Sequence, residues 1–225
     1  MANRVTESYV ARDIHIIHKN QSELDTVNGA LSKIYNDGNG AGASLLSAIY
    51  RNCRGNQGVY IRLTSGSSET FPELTNEQRY RLSEERGINI SSDYSDPIHN
   101  EAAWRLSFKN DDGHHGEGVD AFIKWRADQY IHIDSRGRPS GATNSNLAFT
   151  SLAHELVHAY RMVKGSVIDS RRTEERRAIG LGQFSDSRFS ENAIRDEHNL
   201  RLRARYISYN LSSDEDSPES GSDYY

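Results

Sequence analysis

The sequence has one cysteine, Cys53, in 225 residues. A single thiol forms no intramolecular disulfide and cannot build a four-thiolate zinc site, so a stapled scaffold and a zinc ribbon are both excluded. Cys53 reads as an ordinary, partly buried thiol. Also missing is any excess of positive charge. The 27 basic and 32 acidic residues give a formal net charge of -5, the opposite of the basic surface that a phosphate backbone requires. Nucleic acid is therefore not an expected partner. Long hydrophobic runs are absent as well. Residues 1–17 carry Arg4, Glu7, Arg12 and Asp13 and lack the apolar centre of a Sec signal peptide, and nothing later reaches membrane-spanning length. No membrane partner is expected, and any export uses a route that reads no such signal.

What is present suffices for one core, since 35% of the chain is apolar. The first forty residues are polar and end in the Asn36-Asp37-Gly38-Asn39-Gly40 cluster, so residues 1–43 are expected to be a partly flexible secretion or translocation region carrying one short amphipathic helix (Leu24, Val27, Leu31, Ile34). Residues 44–210 then form the folded domain. Within it, 44–50 suit a helix and 59–63 a strand. A further helix is expected over 75–86, capped by Thr75 or Asn76 and stopped by Gly87. Residues 104–108 and 130–133 alternate like strands, the second closed by the turn at Arg136-Gly137-Arg138-Pro139. Helices are expected at 146–162 (capped by Thr143, Ser145 or Asn146), at 172–179 and at 191–206. Residues 211–225, with Asp214-Glu215-Asp216 and repeated Ser and Gly, are expected to be a disordered acidic tail.

The chemistry concentrates in His154-Glu155-Leu156-Val157-His158. Residues four apart share a helix face, so His154 and His158 can direct ring nitrogens at one ion about 2.0–2.1 Å from each. Glu155 projects beside that face, where it can contact water on the open position of a zinc ion and act as general base. Two unrelated helical histidines are the alternative. The apolar context and the preceding strand weigh against it. Catalytic zinc usually has a third protein ligand, and the next helix offers Glu174 and Glu175. An oxyanion also needs stabilising, and Arg203 and Tyr206 would lie one turn apart on the last helix; a solvated basic helix is the other reading. His15 and His18 fall in the polar leader and His114-His115 in an Asp-rich turn. Tyr130 and His132 lie on a strand whose edge is a candidate for docking a peptide substrate by strand addition; a half-buried structural histidine is the other, favoured reading of His132.

Three separated motifs occur in order: His154 to Ala159, Thr173-Glu174-Glu175 running to Gly180, and Glu191-Asn192 through Arg203-x-x-Tyr206. Together they resemble the NleD-like metallopeptidases, type III secreted effectors of bacterial pathogens with relatives at the ends of Rhs-type toxins. The resemblance implies an α+β, zincin-like domain with a small sheet and the histidine-bearing helix beneath it. It implies that Glu175 completes a site for one Zn2+ per chain, that Glu174 orients a ligand histidine, and that Arg203 and Tyr206 face the oxyanion. It further implies a monomeric zinc metalloendopeptidase in the host cytoplasm, acting on a host protein, with MAP kinases of the JNK and p38 type cut in the activation loop. Two other readings stay open: an interbacterial toxin-type peptidase, which would have a cognate immunity protein, and a non-catalytic zinc-stabilised binding module, which would have no use for Glu155.

Overall fold

The computed structural model describes residues 2–206 apart from 94, 111 and 169. The tail expected over 211–225 lies outside the described residues. Strand β2 (Ile14–His18) alternates: Ile14 and Ile16 are buried while His15 turns outward and stacks on Tyr60. Asn20 caps helix α1 (Gln21–Tyr35) by accepting from the Glu23 N–H, and Asn36 in the left-handed region ends it. Helix α2 (Ala41–Asn52) and strand β3 (Val59–Leu63) follow, the latter parallel to β2. Strand β4 (Glu69–Glu73) leads into α3 (Asn76–Arg86), where Thr75 and Gln78 form a capping box and Gly87 closes the last turn. Asp96 and Pro97 start α4 (Pro97–Ser107).

With β1 (Arg4–Glu7) and β5 (Asp120–Trp125), these strands make one mixed sheet in the order β1-β2-β3-β5-β4. Strands β6 (Gln129–Ile133) and β7 (Pro139–Thr143) form a separate antiparallel pair. The inner face of the sheet, with Ile14, Ile16, Val59, Ile61 and Ile123, packs on α1 and on α5 (Phe149–Val163). Trp125 fixes the start of α5, its indole N–H donating to Ala148 O and Ser151 Oγ at 3.3 and 3.2 Å. Helices α6 (Arg171–Ile179) and α7 (Glu191–Glu197) then flank α5. The expected α+β class, with the motif-bearing helix against a small sheet, is what forms. Among the described residues no helix is long and apolar enough to cross a membrane.

Two glycine positions let the chain cross itself beside α5. Gly118 and Gly165 have φ of +80° and +66°, and an added Cβ would lie 2.1 Å from Val163 O and 2.3 Å from Gly116 O respectively. This crossing ties the end of α5 to the entry of β5 through Val119 N–H to Met162 O and Gly116 N–H to Gly165 O.

Four expectations differ from the structure. Residues 1–43 are no loose leader: β1, β2 and α1 belong to the same sheet and core, because a polar average hides the inward stripe of Ile14, Ile16, Val27, Leu31 and Ile34. Residues 104–108 are the last turn of α4 and its exit, not a strand. Helix α7 stops at Glu197 rather than running to 206, as Asn199 takes φ of 53°. None of Thr143, Ser145 and Asn146 caps α5, whose N-cap position is Ala148.

Candidate metal centre

His154 and His158 stand one turn apart on α5 with Nε2 atoms 3.2 Å from each other. Glu175, from α6, completes the group: its Oε2 is 3.2 Å from His154 Nε2 and its Oε1 is 3.6 Å from His158 Nε2. The candidate ligand atoms of the three residues all lie within 4.8 Å of one another. Tetrahedral zinc with bonds of about 2.0–2.1 Å places its ligands about 3.3 Å apart, so two imidazoles and a carboxylate at these separations fit the ion in both chemistry and spacing.

The electrostatics agree with that fit. Burial works against a charged His154, yet Glu175 on one side of the ring and Glu191 on the other outweigh it and push its pKa up to about 10. Burial and the neighbouring His154 push His158 down to about 4. Despite its own burial, Glu175 is held down at about 2 by the two histidines. Glu155 is buried, and that burial raises it to about 7 although His154 and a hydrogen bond from Thr70 oppose the shift.

Behind His154 the structure places a network that sequence reasoning had named only as part of a motif. Glu191 is 1% exposed, and its Oε2 lies 3.2 Å from His154 Nδ1, within ion-pair reach but off the line of a well-formed hydrogen bond. Arg195 Nε donates to its Oε1 at 2.7 Å and Arg203 Nη1 to its Oε2 at 2.6 Å, which holds the Glu191 carboxyl well below the usual carboxylate range despite its burial. Asn192 locks the main chain of Arg203 in both directions, at 2.9 and 2.8 Å. A carboxylate behind His154, itself neutralised by two guanidinium groups, is placed to orient the ring whose Nε2 faces His158 and Glu175.

Several expected roles are redistributed. Glu174 meets neither histidine. It takes a two-pronged bond from Arg161, 2.6 Å from Nε and 2.7 Å from Nη2, and accepts the Ile168 N–H at 2.8 Å. The carboxylate on the Nδ1 side of His154 is Glu191. Arg203 is buried on the Nδ1 side of His154, and neither it nor Tyr206 lines the cavity in front of the metal ligands; Tyr206 is half-buried at the end of the described chain. They do not share a helix, since α7 ends before both. Tyr130 and His132 touch each other (3.3 Å) but not the cavity. The β6 edge away from β7 is already occupied: Ser151, Arg195 and Arg201 donate to the carbonyls of Gln129, Ile131 and Ile133. That edge is not open to a substrate strand.

The cavity in front of the ligands, about 530 Å³, runs between β4 (Thr70, Phe71), α4 (Asn100, Trp104) and the start of α6 (Arg171). Ala121 N–H and Trp125 O face β3, so Asp120, Phe122 and Lys124 face β4, and in β4 it is Glu69, Phe71 and Glu73 that bond to β5. Thr70 and Pro72 consequently turn their peptide groups away from β5, and of the two Thr70 lines the cavity. Buried His99 anchors the facing helix, accepting from Leu74 N–H at 3.1 Å. Sequence reasoning did not find β4, because Pro72 interrupts it.

Residues 63–206 match the model of the Peptidase M91 family, described as effector protein. No curated protein matches the chain. Among solved structures, the catalytic domain of Clostridium botulinum neurotoxin serotype F is similar, with 12% identity, a TM-score of 0.44 and coverage of 89% of this chain and 64% of that one. The botulinum neurotoxin type G light chain gives 11%, 0.43, 88% and 61%. The chain thus spans less than two thirds of the length of either.

Proposed function

Because the chain belongs to the Peptidase M91 family of effector proteins, we propose that it is a zinc metalloendopeptidase, delivered by a bacterial type III system to the host cytoplasm, that cleaves JNK- or p38-type MAP kinases in the activation loop. The observation that carries the hydrolytic part is the convergence of His154, His158 and Glu175 beside a buried Glu155. The kinase target rests on the likeness of the three motifs to NleD-like effectors.

Held by His154, His158 and Glu175, one zinc per chain would supply Lewis-acid polarisation of the scissile carbonyl and acidification of the attacking water. The chain's own residues do the remainder. Glu155, whose carboxyl burial raises to about 7 in the metal-free protein, is placed beside the three residues as suits a group that takes a proton from water and returns it to the leaving amine. Glu191, backed by Arg195 and Arg203, keeps the His154 ring in place. The substrate chain lies along the outward peptide groups of β4, beside Glu155.

The test is incubation of wild type and Glu155→Ala, each with its zinc content measured, with JNK and p38, and mass spectrometry of the fragments. Glu155→Ala is expected to keep zinc and lose roughly 10²–10⁴-fold in turnover, whereas His154→Ala and His158→Ala lose both. Loss of metal in all three would refute the division of roles. No cutting despite one zinc per chain would remove these kinases as targets.

A further inference from the structure

Glu155 has one hydrogen bond to its carboxylate among the described residues, from the Thr70 hydroxyl on β4, at 2.6 Å to Oε2. The Thr70 hydroxyl oxygen also lies 3.2 Å from the main-chain carbonyl oxygen of Glu155. A hydroxyl has one proton, and the shorter contact to a carboxylate takes it, in the range of charge-assisted O–H···O⁻ bonds. The two residues come from elements far apart in sequence, joined where α5 passes under the edge strand.

A base beside a metal faces a particular hazard. A glutamate side chain has three rotatable bonds, and a carboxylate within reach of a divalent cation tends to ligate it, which would fill the position that catalytic zinc keeps open. The convergent group here contains His154, His158 and Glu175 and excludes Glu155. Thr70 holds the excluded carboxylate on the β4 side of the cavity, and the Thr70 peptide group faces the same cavity. The residue that restrains the base therefore also lines the edge where a substrate strand would pair.

We infer that Thr70 is the positioning residue for Glu155, its hydroxyl keeping the base turned towards the substrate edge and out of the metal's ligand set. This rests on the peptidase reading above. Thr70→Val removes the hydroxyl at nearly constant shape, and Thr70→Ser restores it. In crystal structures of the zinc-loaded proteins, the Glu155 carboxylate is expected to leave its wild-type position in Thr70→Val and to keep it in Thr70→Ser. On a synthetic peptide library read by mass spectrometry, and then on the best-cut peptide, Thr70→Val should lose about 10–100-fold in kcat with KM within about twofold and zinc retained, and Thr70→Ser should recover most of that loss. A carboxylate unmoved in Thr70→Val, or a serine variant no better than valine, overturns the inference. If Thr70→Val does not fold, Thr70→Ala against Thr70→Ser makes the same comparison. Should wild type cut nothing in the library, the peptidase reading fails, while the crystal comparison still decides the role of Thr70.

Discussion

Glu174 and Glu175 are adjacent on α6 and do opposite work, because one residue along a helix turns the side chain by about 100°. Glu175 reaches the histidines of α5, and Glu174 is clamped to Arg161 with both groups buried. Glu175→Gln should therefore weaken zinc binding by more than the ~10–100-fold that loss of a partner behind a ligand costs. Glu174→Gln should keep zinc stoichiometric but lose about 3–5 kcal/mol of stability in urea unfolding, since Arg161 is left with an uncompensated buried charge. The reverse pattern would exchange their roles. A second consequence concerns protons. In the metal-free protein His154 is protonated up to about pH 10 and His158 is neutral above about pH 4, so zinc binding at pH 7–8 must expel the His154 proton. Calorimetry in buffers of different ionisation enthalpy should read about one proton released per ion; none released would mean that His154 is already neutral. The two histidines and Glu155 were legible in the sequence because helical spacing alone brings them together. The seat of Glu191 behind Nδ1 and the bond from Thr70 to Glu155 were not, because tertiary packing creates both.

At the level of elements, legibility followed the strength of local signals. The α5 period, a cap at Thr75 or Asn76 and the Gly87 stop are local, and each was readable, with Thr75 proving to be the cap. Residues 104–108 misled because Trp104, Leu106 and Phe108 alternate like a strand, while the deciding helix start, Asp96 followed by Pro97, lies a full two turns upstream. The crossing at the end of α5 left no pattern beyond its glycines, and it makes a distinct prediction. Gly165 and Gly55 both have positive φ, +66° and +59°, but an added Cβ meets Gly116 O at 2.3 Å in the first and open space in the second. Gly55→Ala should thus cost only the conformational strain of about 1–2 kcal/mol. Gly165→Ala should cost clearly more and, by shifting the end of α5 against β5, should also lower zinc affinity. Equal losses in thermal and urea unfolding would mean that the crossing relaxes without strain.

Across the whole molecule, the match to the family begins at residue 63, yet the folding unit does not. β2 lies between β1 and β3 in the sheet, and Ile14, Ile16, Val27, Leu31 and Ile34 are all at 0% exposure. Burial of five such side chains contributes roughly 7–15 kcal/mol at about 1.5–3 kcal/mol each. That is comparable to the entire stability of a typical domain, about 5–15 kcal/mol. The connection also runs to the site: Glu197, at the end of the helix that carries Glu191, accepts from the first N–H groups of α2, those of Ala41 and Gly42. A variant beginning at Ser44 strips β3 of one of its two partner strands, exposes one side of α5 and removes Ala41 and Gly42 from the Glu197 anchor. It should show no cooperative unfolding transition and should not retain one zinc per chain at micromolar metal. A cooperative transition with stoichiometric zinc in that variant would mean that residues 1–43 are the separable leader their polar composition suggests, and that the metal centre is held by the remainder alone.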